Sequence, residues 1–296
     1  MSPLATVGAG CWRWIAANVD DFLVRPGDDV PTRSARIVAF AELLIFTTAS
    51  LRVGGGSAVP PAIVRAARDW LPAFDWESQL IRDPGFLVAI ATVVEFLDAC
   101  GGDAAPYRAL VRAALARGIV ERLQLRPYRE AELDRLLVRS GFRRYDAAAF
   151  AACVRRAFRA LDVPLPGYAV ADLFALSHLV CYVCDDGERA AHDVVGTEGE
   201  ARLRWLVSCA GRIALIDGDL DLAAEFVLCE RYLGGFDPAL TREAIRRAAA
   251  EQEPTGAVVA PDPGGMRSPF VRRYHSSLLW AYASLLVRQG RTPMAA

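Results

Sequence analysis

Residues with chemically active side chains lie on one stripe of a predicted helix in the middle of the sequence. In the segment 171–187, His178, Tyr182 and Asp185 follow one another at helical spacing. Residues at this spacing project from the same side of an α-helix, so an imidazole, a phenol and a carboxylate are expected to face one direction. Such groups can exchange protons with a substrate or bind a divalent metal ion.

The end of this helix carries two carboxylates. Gly187 is predicted to stop the helix, which places Asp185 and Asp186 in its last turn. Carboxylates there oppose the negative end of the helix dipole, so a compensating metal ion, arginine or proton is expected. The alternative interpretation is a buried His178 with a hydrogen-bond partner, followed by solvated aspartates.

Two later segments supply another carboxylate and a second imidazole. The acidic run 217–221 indicates a loop that ends in an aspartate N-cap, followed by first-turn acids of a helix. Glu225 lies further along this helix among apolar residues, so it either points into a functional site or forms part of a structural polar network. His275 shares a predicted helix face with apolar residues and precedes Ser276 and Ser277. The serines favour a polar site, although a lone histidine on an apolar face is usually a core residue.

These segments together predict one site. The candidate catalytic residues are His178, Tyr182, Asp185, Glu225 and His275. The same set without the tyrosine gives the candidate ligands if a metal is bound, and two imidazoles with carboxylates suit zinc, iron or manganese. Without a metal the set suits proton transfer. The sequence contains no lysine, which excludes covalent pyridoxal phosphate and a phosphate-loop lysine.

Two further acids, Glu42 and Glu95, lie within apolar helical runs. An unpaired carboxylate is costly to bury, so each is expected to contact an arginine or to line a polar cavity.

The elements that must position these residues are helices. Apolar residues recur at helical intervals along the sequence, and no strand pattern is evident. The predicted helices are 10–24, 33–52, 59–73, 84–100, 104–117, 129–140, 146–161, 167–185, 199–215, 219–233, 238–251 and 268–289, with a short turn at 75–82. About twelve helices in sequence indicate antiparallel hairpins in one all-α domain, 1–296, arranged as an α/α toroid or as an open α-solenoid.

Composition narrows the class of protein. Thirty-four basic and 35 acidic residues leave a net charge of -1, so no basic excess indicates nucleic-acid binding. The longest apolar runs are interrupted by glutamate and fall short of the roughly 20 residues of a membrane span. The first ten residues lack a signal-peptide pattern, and the seven cysteines are odd in number. These features predict a cytoplasmic protein with reduced thiols and no membrane partner.

Two motifs resemble a family of uncharacterised all-helical proteins from high-GC bacteria, and the resemblance extends over nearly the whole chain. The motifs are Ser177-His178-x3-Tyr182-x2-Asp185-x-Gly187 and Tyr274-His275-Ser276-Ser277. The family's usual forms have threonine in place of these serines, and an aromatic residue where this chain has Asp186. Because the family has no assigned function, the resemblance implies no activity. Members often lie among genes of specialised metabolism, so the resemblance suggests a tailoring role.

Two function classes follow. The first is a tailoring enzyme of specialised metabolism, whose central His and carboxylate site performs acid–base or metal-dependent cyclisation, elimination or hydrolysis of a small-molecule or peptide substrate. The second is a non-catalytic helical scaffold or binding protein, in which the same residues form a structural network. A homodimer is compatible with either class. Metal analysis of the purified protein discriminates between them most cheaply.

Overall fold

The computed structural model describes residues 3–161, 165–262 and 268–289, without the side chains of residues 160 and 166. Within these residues the chain forms thirteen α-helices, with short 3-10 turns between several of them and no β-strand. The all-α prediction is confirmed. The helices are α1 (Pro3–Ala17), α2 (Val30–Gly54), α3 (Pro61–Trp70), α4 (Trp76–Arg82), α5 (Leu87–Cys100), α6 (Ala105–Ala116), α7 (Pro127–Arg139), α8 (Ala147–Ala160), α9 (Val170–Val183), α10 (His192–Ile216), α11 (Leu220–Tyr232), α12 (Pro238–Glu251) and α13 (Val271–Gln289).

Aspartate side chains begin five of these helices. Each accepts a hydrogen bond from a backbone N–H of the first turn, which otherwise has no partner within the helix. One such cap stabilises a helix by about 1 kcal/mol. The capping residues of α2, α4, α8, α11 and α12 are Asp29, Asp75, Asp146, Asp219 and Asp237.

Three helix boundaries depart furthest from the sequence-based prediction. α1 begins at Pro3 and ends at Ala17. Its early start is compatible with Pro3, because proline is tolerated in the first turn of a helix. The predicted turn at 75–82 is the helix α4. α10 begins at His192 instead of residue 199, and Gly196 breaks it with a φ of 74°, a left-handed conformation that glycine adopts without steric cost.

The chain divides into two compact units. Unit 1 comprises Met1–Cys11, Leu125–Arg135 and Tyr145–Ala296, and unit 2 comprises Trp12–Gln124 and Leu136–Arg144. A single domain over 1–296 and the choice between toroid and solenoid both stay predictions.

α11 forms the centre of unit 1 and packs against α9, α10, α12 and α13. Every residue of α11 except Arg231 is buried. Its sequence is apolar on all sides, which is typical of a core helix, yet it also carries the buried acids Asp221, Glu225 and Glu230. Glu230 accepts hydrogen bonds from the backbone N–H of Asp237 at 2.9 Å and from the Thr241 hydroxyl at 3.1 Å. Glu230 is therefore a structural acid with satisfied oxygens.

A second buried acid stabilises unit 2. Glu95 on α5 is 6% exposed. Its Oε1 atom lies 2.7 Å from the Arg52 Nη1 atom and 2.7 Å from the Arg139 Nε atom. The prediction that Glu95 contacts arginine is confirmed, whereas Glu42 is half-buried and its predicted partner stays a prediction.

Aromatic side chains fill another part of unit 2. The rings of Trp70, Phe74, Trp76 and Phe86 pack at centroid distances of 4.8 to 6.1 Å and line an apolar recess of about 230 Å³. Both indole N–H groups donate to backbone carbonyls, at 3.1 and 2.9 Å. The polar atoms of this cluster are thus satisfied by the chain itself.

One helical segment of the described chain, Val30–Ser57, is long and apolar enough to cross a membrane by length and composition, with a hydropathy of 1.6. Forty-four per cent of its most apolar window is buried inside the protein. Core helices of proteins without a membrane segment meet the same two criteria, so the absence of a membrane partner stays a prediction.

Candidate functional site

Three packed helices of unit 1 supply the candidate site. α9 carries His178, α11 carries Asp221 and Glu225, and α13 carries His275. α11 packs against both of its neighbours, so side chains on its two flanks meet those of α9 and α13.

Glu225 lies beside both imidazoles. Its Oε1 atom is 3.9 Å from the His178 Nε2 atom and 3.6 Å from the His275 Nε2 atom. The Glu225 side chain is 9% exposed, so its charge interacts with both rings through little water. Both Nε2 atoms thus approach the same carboxylate oxygen, and the catalytic role of these three residues stays a prediction.

A second carboxylate orients His275. The His275 Nδ1 atom lies 2.9 and 3.0 Å from the two oxygens of Asp221, which also accepts a hydrogen bond from the Ser276 hydroxyl at 2.6 Å. A carboxylate at Nδ1 fixes the proton on that nitrogen, which leaves Nε2 directed towards Glu225. The sequence prediction treated Asp221 as an ordinary first-turn acid, but it is 6% exposed and paired.

His178 has a different environment. Its Nδ1 atom is buried and has no hydrogen-bond partner among the described residues, although 30% of the side chain is accessible. Burial, together with the charges of Arg129 and His275, lowers the pKa of His178 from 6.5 to about 3. The accessible part of the ring meets water, which limits this effect. The imidazole is neutral at pH 7 in either case.

The neutral His178 ring has one favourable tautomer. A buried N–H without an acceptor costs about 1–3 kcal/mol, so the proton is better placed on Nε2, where it faces Glu225. His178 is therefore a neutral hydrogen-bond donor, whereas His275 has a carboxylate beside each ring nitrogen, Asp221 at Nδ1 and Glu225 at Nε2. The two imidazoles have different roles because their surroundings differ.

Aromatic rings surround the two imidazoles. The ring centroid of His178 lies 6.2 Å from that of Tyr128 on α7 and 6.0 Å from that of Tyr182, and His275 lies 6.2 Å from Phe174. Burial, with smaller effects from Glu132 and other neighbours, raises the pKa of Tyr182 well above 10. Tyr182 thus remains a phenol, which can donate a hydrogen bond but does not act as a base.

Asp185 pairs with an arginine. Arg135 on α7 binds it at 2.7 Å between Nε and Oδ1, and the same guanidinium pairs with Asp186. Both aspartates adopt left-handed backbone conformations, with φ of 47° and 56°, ahead of Gly187 at 89°. Left-handed non-glycine residues cost about 1–2 kcal/mol each, and the arginine offsets this cost. The expected compensating partner is therefore an arginine, while a catalytic or metal-binding role of Asp185 stays a prediction.

The metal hypothesis has no support from side-chain grouping. Within the part of the chain that the structure describes, no three or more His, Cys, Asp or Glu side chains are grouped as metal ligands. The zinc, iron or manganese site predicted from His178, His275, Asp185 and Glu225 stays a prediction.

Several residues of this site were not predicted from the sequence. Asp221 was detectable, since it precedes Glu225 by one helical turn in a largely apolar helix. Tyr128, Arg129 and Arg135 carried no local signal, because α7 ends at Arg139, well before α9 begins at Val170, and its contacts depend on tertiary packing.

The fold and the site define an all-helical protein with two histidines and two carboxylates clustered around one buried helix. The chain belongs to the DUF6895 family, a domain of unknown function whose model matches residues 8–285. No curated protein matches the sequence. Membership of an uncharacterised family is confirmed, while the high-GC origin and the motif variants stay predictions.

Proposed function

We propose that the protein is an enzyme that transfers protons to and from a small-molecule or peptide substrate at Glu225. The observation that carries this proposal is one buried carboxylate faced by two imidazoles, of which His275 is held by a second carboxylate and His178 has no partner at Nδ1 among the described residues. Environments that separate the proton affinities of neighbouring groups are typical of acid–base sites.

The geometry assigns a role to each group. Asp221 holds His275 so that its Nε2 atom can exchange a proton with the substrate as a general acid–base group. The imidazolium form lies between two carboxylates, Asp221 and Glu225, which stabilise its charge. The neutral His178 can donate its Nε2–H to negative charge that develops on the substrate. Cyclisation, elimination and hydrolysis each need such a proton transfer.

A comparison within unit 1 favours an enzyme over a scaffold. Structural buried polar groups are normally satisfied, and Glu230 is, through Asp237 and Thr241. His178 instead keeps a buried nitrogen without a partner and 30% of its surface accessible. A purely structural network gains nothing from this arrangement, whereas a reactive site needs an accessible donor.

The remaining parts of the proposal rest on sequence alone. We propose a cytoplasmic protein without nucleic-acid or membrane partners, compatible with a homodimer. The tailoring role in specialised metabolism rests on the family resemblance. A divalent metal at the same residues is the alternative mechanism.

The test uses purified protein incubated with a bacterial metabolite extract, followed by mass spectrometry over time. With wild type, the signal of at least one compound is expected to fall while the signal of a product with another mass rises. His275→Ala and Glu225→Gln are expected to abolish that change. His192→Ala is the matched control, because His192 is 55% exposed and pairs with Glu200 away from the site.

Parallel incubations with a chelator and with added zinc, iron or manganese distinguish the two mechanisms. Activity that is unaffected by either supports acid–base catalysis, and activity that requires a metal supports the alternative. Full turnover by folded His275→Ala would contradict the proposal.

A further inference from the structure

An arginine lies at the edge of the aromatic part of the site. Arg129, in the first turn of α7, has a side chain that is 45% exposed. Its Nη1 atom donates to Glu132 Oε2 at 2.6 Å, and Glu132 is itself buried. Among the described residues, the Nε and Nη2 atoms of Arg129 have no hydrogen-bond partner. The buried glutamate therefore fixes the guanidinium while the Nε–Nη2 edge stays available.

This guanidinium belongs to the same surroundings as the imidazoles. Its Cζ atom lies 5.5 Å from the ring centroid of Tyr128, and that ring lies 6.2 Å from the ring of His178. The positive charge of Arg129 also contributes to the lowered pKa of His178, so the two groups are within electrostatic reach. Guanidinium, phenol and imidazole thus follow one another along one side of the site.

We propose that the substrate is a small organic acid with a planar apolar body, whose carboxylate binds the Nε–Nη2 edge of Arg129. The body packs against Tyr128, and the reacting centre then lies between His178, Glu225 and His275. This inference rests on the proposed function, because it assigns the substrate class of that same site.

The charges of the site favour a carboxylate over other anions. A guanidinium edge matches the two oxygens of a carboxylate and binds them with parallel hydrogen bonds. The site already contains the carboxylates Asp221 and Glu225, which repel a doubly charged phosphate more strongly than a single carboxylate. One arginine with one free edge is suited to a monoanion.

The position of Arg129 also argues for a ligand. A cation in the first turn of a helix opposes the positive end of the helix dipole, which costs a few tenths of a kcal/mol. Glu132 offsets this cost, and an anion bound at the same end would add to the compensation. Aromatic walls with few polar groups are typical of sites for small organic molecules.

Binding of benzoate to the whole protein, measured by calorimetry, tests the inference. Benzamide is the neutral probe of the same shape. Arg129→Gln is expected to weaken benzoate binding by about tenfold or more, because it removes a charge-assisted pair of hydrogen bonds. Benzamide affinity is expected to stay unchanged, and Arg129→Lys to restore part of the benzoate affinity.

Two further variants make the result specific. Arg156→Gln is the control, because Arg156 is 55% exposed and pairs with Glu130 in the same unit. It is expected to bind benzoate like wild type. Tyr128→Ala is expected to weaken the binding of both benzoate and benzamide, since it removes the ring against which the probe packs. Circular dichroism spectra identical to wild type establish that each variant is folded.

The outcomes separate this inference from the proposed function. Absence of benzoate binding to wild type, or equal affinity in folded Arg129→Gln, overturns the substrate class. His275→Ala is expected to bind benzoate while losing turnover. Benzoate binding that depends on Arg129, in a protein that converts nothing in metabolite extracts, supports the ligand class and contradicts the enzyme.

Discussion

Replacing His178 with leucine tests whether this imidazole is held for function or for stability. Leucine has a similar volume and no polar atom, so it removes the buried Nδ1 atom that has no partner among the described residues. A buried unsatisfied nitrogen costs about 1 kcal/mol or more. At pH 7 the free energy of unfolding of the variant is therefore expected to equal that of wild type or to exceed it by about 1 kcal/mol.

The titration of His178 also predicts how much stability the protein loses as the pH falls. Burial lowers the pKa of His178 to about 3 in the folded protein, against 6.5 for an unperturbed imidazole. Below pH 6.5 the unfolded chain takes up a proton at His178 that the folded chain does not. The contribution of His178 to the free energy of unfolding is therefore complete above pH 6.5 and is lost as the pH falls towards 3. One proton corresponds to about 1.4 kcal/mol per pH unit, or about 2 kcal/mol from pH 6.5 to 5. Partial hydration of the ring reduces this to about 1 kcal/mol.

The assay is thermal unfolding followed by circular dichroism at pH 7 and pH 5. Between pH 7 and pH 5 the melting temperature of wild type is expected to fall by about 2–4 °C more than that of the leucine variant. A change of 1 kcal/mol shifts the melting temperature by about that amount in a chain of this size. His192→Leu is the matched control and is expected to keep the wild-type difference. A leucine variant that melts more than about 5 °C below wild type at pH 7 would refute the reasoning and favour a structural histidine.

Three other substitutions test the remaining contacts. Asp221→Asn should abolish turnover in the metabolite assay, because His275 loses the carboxylate that orients it, while benzoate binding persists; unchanged turnover would contradict the role. Glu95→Gln should destabilise unit 2 by about 3 kcal/mol in denaturant unfolding, because Arg52 and Arg139 lose a buried counter-charge. A change below about 0.5 kcal/mol would show that the ion pairs are weak. Gly256→Ala should lower the melting temperature, since its φ is 96° and a Cβ atom would collide with the backbone of α1; an unchanged melting temperature would argue against that close approach.

The acids illustrate how far sequence patterns reach. Glu95 and Glu225 were identified as unusual from their apolar neighbours alone, because burial of a carboxylate is costly and demands a partner. Which arginine pairs with Glu95 could not be predicted, since Arg139 lies more than forty residues away along the chain.

Periodicity and capping are local, so the sequence alone predicts the all-α class, most helices and the aspartate N-cap of α11. It also determined which residues face inward on α9 and α13, which is enough to nominate His178 and His275. Helix packing, in contrast, pairs Asp221 with His275 and Asp185 with Arg135. The physical reason is that helical spacing fixes the direction of a side chain, whereas its partner depends on which helices pack together.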